Sequence, residues 1–204
     1  MQAYPVPAAP VSVSEEIKKS RFITLLAATS GIDAAKDFVQ RIRAQHPTAR
    51  HHCWACVAGA PDDSQQLGFS DDGEPSGTAG KPMLSQLMGS GIGEITAVVV
   101  RYYGGIQLGT GGLVKAYGGG VQQALKLISL QEKVLQKEYG LRCDYALLPQ
   151  VESLIYQLGG QILHSDYGAE VTLSLSIPLR DVDEATMKLR DISRGSLHLL
   201  PVSQ

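Results

Sequence analysis

The sequence predicts an α+β protein of two domains, and three observations carry that prediction. Short runs of apolar and β-branched residues alternate along the chain with amphipathic stretches of helical period. The last seventy or so residues follow the order strand, helix, strand, strand, helix, strand, which is the split βαβ unit of ferredoxin-like folds. Formal charge also changes sign along the chain: residues 1–137 hold thirteen Lys and Arg against eleven Asp and Glu, whereas 138–204 hold five against nine. A length of 204 residues, 44% of them hydrophobic, suffices for a core in each of two small domains. The expected domains are 1–133 and 134–204.

Taken in order, alternating residues at 9–14 and 21–26 around the charged turn at 15–20 predict an opening hairpin. Apolar positions at Ala34, Ala35, Phe38, Val39 and Ile42, closed by Pro47, predict a helix over 33–45. A strand at 52–59 leads into 60–80, a stretch of Asp, Ser, Gly and Pro without period that reads as one long loop, and loops of that length tend to be functional. A helix at 81–88, a buried strand at 94–102 and a glycine-rich run at 104–112 come next, and then a long helix from Leu113 to about residue 130. The second domain reads as strand 134–145, helix 149–158, strands 161–167 and 170–177, helix 181–192 and strand 197–202. Pro149 suits a first helical turn, and Asp181, Asp183 and Glu184 suit the start of the last helix.

A net charge of −2 and a pI near 6.2 exclude the overall basicity that sequence-independent nucleic-acid binding usually brings, so such a role requires a local patch. Three cysteines are an odd number, and the short proline-rich start is no secretory signal, so reduced thiols and a cytoplasmic location are expected. No apolar run approaches the ~20 residues that span a bilayer, so no membrane role is expected.

The densest polar constellation gathers Lys18, Lys19, Arg21, Arg50, His51, Lys81, Arg101, Tyr102, Tyr103 and Lys115 from separate segments. Cations beside exposed tyrosines suit a phosphate-and-base surface, since cations neutralise phosphates while aromatic faces stack on unpaired bases. Scattered solvated charges and half-buried tyrosines at a strand end would give the same pattern. The glycine-rich run opens a helix, so backbone N–H groups near Gly109, Thr110, Gly111 and Gly112 can hold an anion. The run matches neither a Walker nor a dinucleotide pattern, and glycines there also permit tight turns and close packing.

His51, His52, Cys53 and Cys56 invite a zinc reading, but strand alternation turns their side chains to opposite sides and no second ligand pair follows. No metal or other cofactor is expected, and buried apolar thiols are the better account. Asp71, Asp72 and Glu74 could be carboxylates for acid–base work or Mg²⁺, but an isolated acidic turn is more often a solvated loop or a side-chain cap. No catalytic residue is assigned, because no nucleophile has a base to partner it.

These segments resemble the YigZ/IMPACT family. The resemblance rests on Lys18-Lys-Ser-Arg-Phe22, Ala49-Arg-His-His52, Phe69-Ser-Asp-Asp-Gly-Glu-Pro75, Gly77-Thr-Ala-Gly-Lys-Pro82 and above all Val98-Val-Val-Arg-Tyr-Tyr-Gly-Gly-Ile-Gln-Leu-Gly-Thr-Gly-Gly-Leu113. It covers the first domain almost end to end, and the βαββαβ unit is similar to the accessory domain of the bacterial branch. The resemblance implies a first domain similar to domain two of ribosomal protein S-five and to the fourth domain of elongation factor G, with the second domain like that factor's fifth. It also implies a nucleic-acid- or ribosome-associated binding protein with a role in regulating translation. RNA, the ribosome or a translation-associated protein are the implied partners; no oligomeric state follows. The alternative is a small-molecule or phosphate-ligand binding enzyme that uses the 60–80 loop and the 104–112 glycine run.

Overall fold

The computed structural model describes residues 2–202, and these divide into two compact units that meet at Lys133 and Val134. The first is built on a five-stranded antiparallel sheet. Its strands are β2 (Val11–Ile17), β3 (Ser20–Ala28), β4 (His51–Val57), β5 (Leu67–Ser70) and β6 (Ile95–Tyr102), in the order β2-β3-β6-β4-β5. Helix α1 (Ile32–Gln45) covers one face, while α2 (Gly80–Ser90) and α3 (Gly109–Leu127) cover the other. Strand alternation sorts the core accordingly. Phe22, Leu26, Ala55, Ala97 and Val99 pack with Met83, Leu87, Leu113 and Tyr117 of α2 and α3, and Ile23, Val98 and Val100 pack with Phe38, Val39 and Ile42 of α1. The spacing of Ala35, Phe38, Val39 and Ile42 forms one helical stripe, and that stripe is the buried face of α1.

Three strands escape the sequence reading. β1 (Ala3–Pro7) pairs with β7 (Leu130–Val134) in a two-stranded sheet, where Pro5 and Pro7 are tolerated because such a ribbon is all edge. β5 lies inside what reads as a loop and pairs with β4, Phe69 opposite Ala55. The strand expected at 134–145 is β8 (Gln136–Cys143), and β7 precedes it where the sequence reading has the end of a helix and a boundary.

Helix α3 begins at Gly109, four residues before the expected start, even though its first turn is Gly-Thr-Gly-Gly. Gly109 has φ +75°, a backbone shape that side-chain-bearing residues rarely adopt. Gly104 serves a different need, since a Cβ there would collide with the carbonyl of Lys19.

The second unit runs β8, α4 (Leu148–Gln157), β9 (Gln161–Tyr167), β10 (Val171–Pro178), α5 (Val182–Ser193) and β11 (Leu200–Pro201). This is the expected βαββαβ order, with strands arranged β11-β8-β10-β9 and every pair antiparallel. Its core joins Leu141, Leu173, Leu175 and Ile177 of the sheet to Val151, Ile155, Ala185 and Leu189 of the helices. The last strand, expected from 197, is only two residues long; Leu197 before it is buried in the core without pairing in the sheet. No helix among the described residues is long and apolar enough to cross a membrane.

Candidate functional site: a cationic cavity at the start of helix α3

Arg101 sits near the end of the central strand β6, directly opposite Phe22 on one neighbour and His51 on the other. Period-two alternation puts it on the face of Ala97 and Val99, toward α3, and it is 4% exposed. A guanidinium there needs partners. Its Nη1 donates to Glu74 Oε1 at 2.6 Å, its Nε and Nη2 lie at 3.4 and 3.3 Å from Ser20 Oγ, and its Cζ is 5.4 Å from the Phe22 ring centroid. Glu74 Oε1 also accepts from the Tyr117 hydroxyl at 2.8 Å and faces His51 Nε2 at 3.4 Å. Arg101, expected among the surface cations, is thus a buried and paired one, since an unpaired charge at that depth would be prohibitively costly.

The loop that delivers Glu74 is tied to both faces of the sheet. Asp71 accepts backbone N–H bonds from Gly77, Ala79 and Gly80. Burial acts to raise its pKa, but those three donors favour the charged form and leave the carboxyl below its ordinary value. The Asp72 carboxylate accepts from the backbone N–H of His52 at 2.7 Å and from Arg43 Nη2 of α1 at 3.2 Å, and its carbonyl accepts from His51 Nδ1 at 2.7 Å. The three acidic residues form neither an acid–base pair nor a solvated turn: Asp71 serves as a side-chain cap for backbone N–H groups at the start of α2, as the cap reading expects, and Asp72 and Glu74 anchor the loop to its neighbours.

Beside this network lies a cavity of about 400 Å³, in the usual range for ligand sites. Arg50, His51, Glu74, Arg101 and Tyr103 line it together with Gly109 and Thr110 of the first α3 turn. The guanidinium of exposed Arg50 lies over the Tyr103 ring at 4.8 Å. No side chain caps α3 and no acidic residue stands in its first turn, so its N-terminal N–H groups and partial positive charge face the cavity uncompensated. Gly111 and Gly112 follow in the same turn without lining the cavity. Gln107, which the sequence reading passes over, contributes a further polar wall.

The remaining expected residues fall in other places. Lys81 and Lys115, both exposed, flank a second groove between α2 and α3, which also includes Gln86 and Gln122. Lys18 and Lys19 form the two-residue turn between β2 and β3, with φ of 46° and 64°, as in hairpin turns with positive φ at both central positions. Arg21 and Tyr102 pair across β3 and β6 on the α1 face, where the Tyr102 hydroxyl meets His46 Nδ1 at 2.7 Å. These two do not share a surface with the cavity.

Cys53 packs toward α2 and α3 and Cys56 toward α1, on opposite faces. Burial pushes both thiols up, Cys56 to about 11, which is the reverse of nucleophile activation. Among the described residues no group of three His, Cys, Asp or Glu side chains is placed to hold a metal ion.

A small α+β domain with a ligand-sized cavity at an open helix N-terminus, followed by a βαββαβ domain, is the class that fold and site define. The model of the Impact N-terminal domain matches residues 18–125, and that of a domain of unknown function, DUF1949, matches 141–196. The chain belongs to the IMPACT family. It is 65% identical over 204 residues to the IMPACT family member YigZ of Escherichia coli K12, covering 100% of both chains. To an IMPACT family member of Haemophilus influenzae it is 55% identical over 197 residues, covering 97% of this chain and 96% of that one. A crystal structure described as that of a hypothetical protein matches with a TM-score of 0.80 at 65% identity, over 100% of this chain and 99% of the other.

Proposed function

We propose that the chain is a cytoplasmic RNA- or ribosome-associated binding protein whose first domain engages RNA along α3, as an element of translation control. The observation that carries this reading is the convergence of Arg50, Tyr103 and the uncapped start of α3 on one cavity, in the domain with the excess of basic residues. The groove of Lys81 and Lys115 continues along the same helix and suits phosphates of a strand leaving the cavity. Sequence selection is not required of such a surface, because phosphates and stacked bases supply the binding.

The test is a titration of single-stranded RNA at several salt concentrations. Affinity falls as salt rises, and changing Lys81 and Lys115 together to Ala flattens the logarithmic slope by about 1.4, two phosphate contacts at about 0.7 each. Replacing Asp183 and Glu184 of α5 by Ala leaves binding unweakened. Absence of binding at low salt, or an unchanged slope in the lysine variant, would refute the reading. Arg101 is unsuitable as a probe because its removal perturbs the core.

A further inference from the structure

Strand β5 ends the first sheet, and no described strand pairs with its outer side. The bond from the Ala58 N–H to the Gln66 carbonyl sets the phase of the antiparallel ladder, so Gly68 and Ser70 bond inward to Cys56 and Trp54. Leu67 and Phe69 therefore aim their N–H and C=O groups outward, and among the described residues no hydrogen bond meets them there. A free edge of this kind is a template for a further strand.

The two faces beside the edge set what that strand must carry. On the α1 side, Lys36, Gln40, Arg43 and Trp54 line a recess of about 220 Å³, below the range of ligand pockets and suited to a single side chain. Gly68 lets the half-buried Trp54 ring lie over β5, since a Cβ there would stand 3.0 Å from it. Lys36 is exposed and has no ion-pair partner among the described residues. Arg43 gives its Nη2 to Asp72, yet its Nε is the one buried side-chain donor among the described residues without an acceptor. Asp72 alone thus leaves one positive charge in the recess unmatched, which suits a carboxylate. The α2 side is apolar. Phe69 is half exposed there, Gly80 is pressed against the Ser70 backbone, and Leu84 and the exposed Met88 continue the ridge of Gly80 along α2.

We propose that β5 takes up an extended peptide as a sixth, antiparallel strand, in which one acidic residue stands between two apolar ones. The acidic residue lies opposite Gly68 and points to Lys36 and Arg43. Its neighbours lie opposite Leu67 and Phe69, exchange backbone hydrogen bonds with them and turn their side chains toward Phe69 and Met88. The occupant is a protein segment, because a nucleic acid offers no ladder of N–H and C=O groups to the edge. This binding is separate from the RNA reading, which uses α3.

The test follows Trp54 fluorescence of the full chain as capped heptapeptides are added, with Val at the third and fifth positions, Glu, Gln or Lys between them and Thr elsewhere. The Glu peptide should bind about 2–5 times tighter than the Gln peptide, the worth of an exposed ion pair, and the Lys peptide should bind most weakly. Lys36→Glu should invert that order while leaving RNA binding unchanged, and Phe69→Ser should weaken all three peptides alike. Methylating the backbone nitrogen of either Val should weaken binding about tenfold or more, since a hydrogen bond and the close approach of the strands are both lost. No binding of the Glu peptide at about 1 mM, or indifference to N-methylation, would overturn the strand addition. Equal affinity for the three peptides would overturn the match of carboxylate to recess. A dimer of the unaltered chain in sedimentation that Phe69→Ser dissociates would give the edge to a second copy and overturn the peptide assignment. Displacement of the peptide by single-stranded RNA would give the recess to phosphate and overturn it as well.

Discussion

Replacing Arg101 by Ala should cost the first unit about 3–5 kcal/mol, the usual penalty for removing one member of a buried ion pair. The structure shows why the upper half of that range applies. Glu74 would be left at 3% side-chain exposure with only the Tyr117 hydroxyl, at 2.8 Å, donating to it. Ser20 Oγ would also lose its guanidinium contacts. Trp54, the sole tryptophan, lies on β4 in the first unit, so its fluorescence follows that unit in urea. At a slope of about 2 kcal/mol per molar, a loss of about 4 kcal/mol lowers the midpoint by about 2 M. Arg101→Met combined with Glu74→Gln should recover much of this, because no buried charge then stands alone. A midpoint shift below about 0.5 M for Arg101→Ala at unchanged slope, or a double variant no more stable than the single one, would refute the argument.

Asp71, with its folded pKa depressed, contributes stability that is complete above the unfolded value of about 3.9 and is lost as pH falls through the folded value. Asp71→Asn should therefore lower the Trp54-monitored stability at neutral pH, with the difference from the unaltered protein shrinking in acid; a difference independent of pH would contradict this. Cys53, Cys56 and Cys143 are all buried with raised thiol pKa values, so a thiol reagent at pH 8 should label them only slowly until urea is added. Rapid labelling of the native chain would show an opening that the packing does not allow. A fragment of residues 134–204 should unfold cooperatively on heating, since its buried core is drawn from its own strands and helices; a non-cooperative melt would count against an independent domain.

Much of the architecture is legible because it rests on period. α1 declares itself through the stripe from Ala35 to Ile42, and β10 through its alternation of Val, Leu, Leu and Ile with Thr and Ser, whereas β5 has only four residues and too little pattern to stand out from the glycines and aspartates around it. The start of α3 is hidden for a different reason: three glycines in four residues argue against a helix, and packing against the sheet overrides that weak preference. Arg50, His51, Tyr103, Gly109 and Thr110 are legible as types of residue, yet only the fold shows that they share a cavity. Arg101 was open to a better reading, for in a strand as apolar as Ile95–Val100 it falls on the face of Ala97 and Val99, which is an inward address. Its pairing with Glu74 was not legible, since partners 27 residues apart leave no periodic trace.

The loop carrying Glu74 fastens to α1 through Asp72 and Arg43, to β6 through Glu74 and Arg101, and to the start of α2 through Asp71. It acts as a rivet through two layers that otherwise meet only at the sheet. Neither layer can swell without loosening it, so the two cores should open as one cooperative unit in native-state hydrogen exchange. The amides of Ala79 and Gly80, bonded to Asp71, should then exchange as slowly as those in the centre of β6, although they belong to a segment rich in glycine, serine and proline. The wall of the cavity is in that sense as durable as the core, and a ligand entering it finds the site already built.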